Sequence, residues 1–178
     1  QITKFLIQKD AKMIVVACNT ATAMALKTLK KKFNNIPIMG VIKPGSKQAI
    51  LNTKKKKIGV IGTIATINSN AYEKSIKGKD IRVDIISKAC PLFVPFVEEG
   101  LFKGAAINEI AKHYLLSFNN KVDTLILGCT HYPLLKEVIF KNTQNIELID
   151  SASSVANDTY KKLEKFRLLS GQDNVGSL

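Results

Sequence analysis

Leu125 to Leu135 reads LILGCTHYPLL, which packs an apolar run, a cysteine and a helix start into eleven residues. Met13 to Ala23, reading MIVVACNTATA, repeats the construction, with Ala17 where the other has Gly128. Aliphatic and β-branched runs without polar alternation predict parallel strands buried on both faces, and the polar turn after each marks the strand's carboxyl end. Open α/β sheets bind ligands there. Cys18 and Cys129 thus stand on equivalent elements far apart in sequence, as in a site between two similar halves.

Outward from these stretches, strands and helices alternate. Gln1–Lys9 reads as a helix, Met13–Ala17 as a strand, and Asn19 or Thr20 as the cap of a helix carrying Ala23, Leu26, Leu29 and Phe33. Ile36–Ile42 is a second strand, Pro44-Gly45 a turn, and a short helix runs through Ile50. Further strands are expected at Ile58–Ile61, Ile81–Ile86, Val122–Leu127 and Ile146–Ile149. Thr63 caps a helix reaching to about Ile76, and Cys90–Gly100 is a buried loop with a short helical turn. Gly104–Phe118, Pro133–Phe140 and Ala152–Phe166 are helices, and the tail from Ser170 carries no strong pattern. The alternation predicts βαβ units and an α/β fold with mainly parallel sheets flanked by helices.

Of the 178 residues, 46% are hydrophobic and 23% charged, an ordinary globular balance. The apolar runs fall short of the roughly 18 residues that cross a bilayer, and no signal peptide is visible. Three scattered cysteines without a CxxC fit free thiols in a reducing cytoplasm. The net charge of +13 comes almost wholly from lysines, with Arg82 and Arg167 the exceptions. They are spread over helical stretches without interleaved aromatics, so they read as solvated faces and no specific nucleic-acid partner is expected.

A cysteine between a strand's end and a helix amino terminus sits in a positive partial field that favours thiolate. Asn19-Thr20 and Thr130-His131 add donors suited to an anionic ligand, and His131 is spaced to exchange a proton with Cys129. A lone cysteine after a strand is more often a small hydrophobe, which is how Cys90 reads. Packing alone does not explain a matched pair. His113 reads as a capping or core histidine, Glu98 and Glu99 as surface charge of which one points inward, and Lys43, Thr63 and Thr66 as loop and helix-start residues. No zinc spacing, GxGxxG or Walker sequence is present. A Cys-His hydrolase would leave the second thiol unexplained.

Ala17-Cys-Asn-Thr-Ala-Thr-Ala23 and Leu127-Gly-Cys-Thr-His-Tyr-Pro-Leu134 closely resemble the two cysteine motifs of the bacterial glutamate racemases. Gly40-Val-Ile-Lys-Pro-Gly45, Gly62-Thr-Ile-Ala-Thr-Ile67 with Ser69, Ala71 and Tyr72, and the stretch from Cys90 to Gly100 match as well. Gly-Cys-Thr is shared with aspartate and hydantoin racemases, whereas Cys-Thr-His-Tyr-Pro with its companions is specific. The resemblance implies cofactor-independent interconversion of L- and D-glutamate, supplying D-glutamate for peptidoglycan. By that resemblance Cys18 and Cys129 are the acid/base pair, His131 assists Cys129, and Glu98 is the nearby carboxylate. Asn19, Thr20, Thr63, Thr66 and Thr130 would bind substrate. It also implies two similar domains with the site in the cleft between them, 1–42 with 150–178 as the first and 43–149 as the second, and it admits a homodimer.

Departures from the family pattern set further expectations. An Asp-Ser-Gly strand motif and a Pro-Tyr-Gly segment that line the site in the family are not in this sequence, and Lys43 stands where many members are acidic. The chain also opens inside an amphipathic helix without an initiator methionine. These features predict a piece of a longer racemase, weakly active or inactive alone and prone to aggregate through exposed apolar edges. The rival readings are an aspartate racemase-like enzyme and a non-catalytic truncated paralogue that binds without turnover.

Overall fold

The computed structural model describes residues 1–143 and 145–170. The part of the tail beyond Ser170 lies outside the described residues. After helix α1 (Ile2–Gln8), β1 (Ile14–Val16) pairs in parallel with β2 (Ile38–Gly40) to make a two-stranded sheet, with α2 (Asn19–Lys32) between them in sequence. Four further strands, β3 (Lys57–Gly62), β4 (Asp84–Ala89), β5 (Thr124–Gly128) and β6 (Glu147–Asp150), form an all-parallel sheet in the order β4-β3-β5-β6. Its register sets Gly62 beside both Ala89 and Gly128, and Leu127 beside Asp150. The residues that leave the sheet next, Thr63, Cys90, Cys129 and Ser151, therefore emerge along one edge.

β3 and β5 are buried on both faces because helices cover both. Along β5 the side chains alternate. Leu125 and Leu127 join Phe93, Phe118 and Tyr132 in one core cluster, while Ile126 joins Ile58, Val60 and Tyr72 in the other. Each such side chain contributes about 2 kcal/mol on burial. The covering helices are α3 (Ile42–Asn52), α4 (Ile64–Asn68), α5 (Ala71–Lys77), α6 (Phe93–Glu98), α7 (Ala105–Leu115), α8 (Lys136–Lys141) and α9 (Ser151–Lys165). No helix among the described residues is long and apolar enough to cross a membrane.

Several expected boundaries move, each for a local reason. Pro44-Gly45 is not a turn but lies inside α3. The first intrahelical bond runs from the Gly45 N–H to Val41 O at 3.2 Å, so Pro44 has no helical bond to lose. The expected long helix after Thr63 breaks at Asn70, which takes the left-handed conformation at φ +54°. There the Ser69 hydroxyl accepts the Ala71 N–H at 3.2 Å. The fourth strand starts three residues late because Asp80 gathers Lys56 and Arg82 into a turn. The segment expected as one helix from Pro133 opens as a 3-10 turn, Tyr132–Leu135, before α8. β1 is not buried on both faces: Ile14 is buried but Val15 is exposed.

Candidate functional site

Cys18 is exposed where β1 gives way to α2, and it caps that helix itself, its sulfur accepting the Ala21 N–H at 3.4 Å. Asn19 and Thr20, the expected caps, turn elsewhere. Asn19 is buried, and its Oδ1 accepts the Tyr72 hydroxyl at 2.6 Å. The Thr20 hydroxyl lies 2.9 Å from that of Thr63 and 3.0 Å from that of Thr66, which are themselves 3.0 Å apart. Each hydroxyl in this triangle can donate once and accept once, and Thr63 also caps α4 by accepting the Thr66 N–H at 3.2 Å. The three hydroxyls join the helix behind Cys18 to the four-stranded sheet. A carboxylate placed among them would accept their hydroxyl protons.

Cys129 comes directly after β5 and is buried. Its sulfur is 3.6 Å from His131 Nδ1, and the other ring nitrogen, Nε2, is 3.2 Å from Glu98 Oε1. Glu98 reaches that point because α6 is fastened to the 3-10 turn. Phe93 packs edge-on against Tyr132 and Tyr114, with centroids 5.3 Å apart in both pairs, and the Tyr132 hydroxyl donates to Cys90 O at 2.9 Å. The chain Cys129–His131–Glu98 gives the thiol proton a route: the imidazole takes it at Nδ1 while Glu98 stabilises the cation formed.

Burial pushes the Cys129 thiol up, the charge of nearby Cys18 adds to that, and donors from His131 and Thr130 pull the other way. The balance is a raised value. This runs against the expectation that the helix start favours thiolate here: the element beyond Cys129 is a short 3-10 turn, and desolvation of the sulfur outweighs its donors. Cys90 is fully buried and burial pushes it up to about 12, in keeping with a packing role. His113 is exposed in the last turn of α7, so it is not a core residue. Lys43 is exposed in the first turn of α3, and Glu99 is exposed at the end of α6.

Thr20, Thr63 and Thr66 form one bonded group, and Glu98, Cys129 and His131 another. Cys18 and Thr130 both lie close enough to influence Cys129. Tyr72 and Ser151 are polar residues at the same edge to which the sequence reading assigns no role. Tyr72 had no local signal, since its bond to Asn19 spans 53 residues. Two concavities lie away from the thiols. One of about 580 Å3 runs beside Phe102, Leu134 and Phe140, and another of about 440 Å3 beside Lys55, Lys57 and Lys121. No three His, Cys, Asp or Glu side chains among the described residues are grouped to hold a metal ion.

This arrangement has known counterparts. A glutamate racemase of Aquifex pyrophilus is 51% identical over 152 residues, 85% of this chain and 59% of that protein. A crystal structure of a glutamate racemase isoform from Bacillus anthracis superposes with a TM-score of 0.91 at 43% identity, covering 97% of this chain and 65% of that one. One from Francisella tularensis, solved in complex with D-glutamate, gives 0.89 at 40% identity, covering 96% and 64%. The chain thus spans about three fifths of the length of the first curated relatives it matches. The family model for Asp/Glu/hydantoin racemases matches residues 1–159, and with the two cysteine turns this shows that the chain belongs to that family.

Proposed function

We propose that the protein interconverts L- and D-glutamate without a cofactor, as the catalytic part of a glutamate racemase that supplies D-glutamate for peptidoglycan. The observation that carries this reading is the approach of two cysteine turns from two different sheets: Thr20, Thr63 and Thr66 fasten the Cys18 turn to the end of β3, and β3 lies beside β5, which ends at Cys129. One thiolate breaks the Cα–H bond and becomes a thiol. The opposite thiol then gives its proton to the other face of the carbanion, so charge and atoms balance with no redox change. Hydroxyl and N–H donors of Asn19, Thr20, Thr63, Thr66 and Thr130 hold the carboxylates, and fixed donors in a site that excludes water stabilise the carbanion. His131, backed by Glu98, relays the proton of Cys129. Support for glutamate comes from the names of the relatives and from the Francisella tularensis protein seen with D-glutamate.

In this reading the enzyme is cytoplasmic, its domains are 1–42 with 150–178 and 43–149, and it admits a homodimer. The separate sheets at Ile14–Gly40 and Lys57–Asp150 support setting 1–42 apart from 43–149. The test is Cα–H exchange in deuterated water by the full-length protein. Exchange of both glutamate enantiomers, absence of aspartate exchange, and loss of racemisation in Cys18→Ser and in Cys129→Ser are expected. Full racemisation by either serine variant would sink the two-thiol mechanism.

A further inference from the structure

We propose that Tyr72 is a positioning residue of the two-thiol site: its phenol ties the turn that carries Cys18 to the turn that carries Cys129. Tyr72 lies on α5 at 3% exposure and touches both turns. Its hydroxyl donates to Asn19 Oδ1 at 2.6 Å, one residue from Cys18. Its ring lies against Gly128, one residue before Cys129, so closely that a Cβ there would sit 3.1 Å from Tyr72 Cε2. A Cβ on Gly45 would meet both Ser151 Cβ, at 3.3 Å, and the Tyr72 hydroxyl, at 3.7 Å, so Ser151 lies near enough to influence the phenol. Burial, with the Cys129 charge adding and Ser151 opposing, pushes the phenol up, so it remains a donor throughout the working range. Asn19 Nδ2 is buried and has no partner among the described residues. The carboxamide beside Cys18 is therefore held by one bond, and that bond comes from Tyr72. The break at Asn70 starts α5 in a new direction, and its second residue is Tyr72.

The catalytic consequence rests on the racemase reading; the positional one does not. The test is a cycle of Tyr72→Phe, Asn19→Ala and the double variant in the full-length protein, with two readouts. The first is substrate-free, the rate at which iodoacetamide alkylates Cys18, followed by mass spectrometry. Each single variant is expected to change that rate about threefold or more in the same sense, with the double variant matching Asn19→Ala alone, because touching residues in one chain of bonds are not additive. The second is racemisation. Tyr72→Phe is expected to lower kcat/KM about tenfold, the net worth of one hydrogen bond, and to lower Tm as well, because the buried Asn19 Oδ1 loses its donor. The loss must be equal from D- and L-glutamate, since enantiomers are equal in free energy. Effects that multiply in the double variant, or a Tyr72→Phe protein with parental alkylation, overturn the proposal. Absence of glutamate exchange alongside a non-additive alkylation cycle sustains the positioning role and removes only the substrate reading. If Tyr72→Phe does not fold, Ser151→Ala keeps the ring in place and must shift Cys18 alkylation in the same sense; an unchanged rate overturns the proposal.

Discussion

Thr130 is exposed, yet its hydroxyl is one of the few groups that counter the desolvation of Cys129. Thr130→Val removes a donor to the thiolate at almost equal volume, so the Cys129 value must rise further. The pH at which Cys129 is half-maximally reactive toward iodoacetamide is expected to lie above that of an open thiol and to move higher still in Thr130→Val. An unmoved midpoint would show that the hydroxyl points away in solution. At this scale the sequence was informative about identity and poor about environment. Cys18, Cys129 and the polar residues after them stand out because they come after apolar runs, and Thr63 is a recognisable cap. The self-capping of α2 by Cys18 was hidden, because Asn19 and Thr20 are better caps by type and are drawn off by Tyr72, Thr63 and Thr66. Those partners lie more than 40 residues away, beyond any local pattern.

Among the elements, β5 is the most constrained. A Cβ on Gly128 would lie 2.5 Å from Ile61 O on β3, a backbone atom that cannot swing aside. Gly128→Ala is therefore expected to cost about 1–3 kcal/mol, the usual range for overpacking. It should also push the Cys129 turn away from β3. Urea unfolding gives the first quantity and the racemisation rate the second, and a variant with parental values for both would refute the account. The strands with buried aliphatic runs were legible at this scale, and so was the parallel pairing. The ends of elements were not. Pro44 looked like a breaker because composition does not tell a first helical turn from a bend, and the late start of β4 depends on the ion pairs of Asp80. Glu98 was placed by resemblance; its physical cause, the edge-on packing of Phe93 with Tyr132, emerges only once the two elements are side by side.

For the whole molecule, burial of several weak acids sets how stability responds to base. Cys90 is pushed up to about 12 by burial, and burial also raises Tyr72, Tyr132 and Cys129. An unfolded thiol titrates near about 8.5, so above that pH the unfolded chain sheds protons that the folded chain keeps. Stability is thus fully present at neutral pH and lost as pH climbs toward 12. The urea midpoint is expected to fall between about pH 8 and pH 11, and the fall should be shallower in Cys90→Ala even though that variant starts lower. A pH-independent midpoint would contradict the burial of these groups. The joined threonine hydroxyls carry a different consequence, one of timing. The strand that leads to Cys18 is made before Thr63, Thr66 and Tyr72, which fix its turn, and Cys129 comes later again. A chain still on the ribosome therefore holds the first thiol without its geometry, and under the proposed racemase reading the pair can act only after β5 has been made and has brought the second thiol to the first.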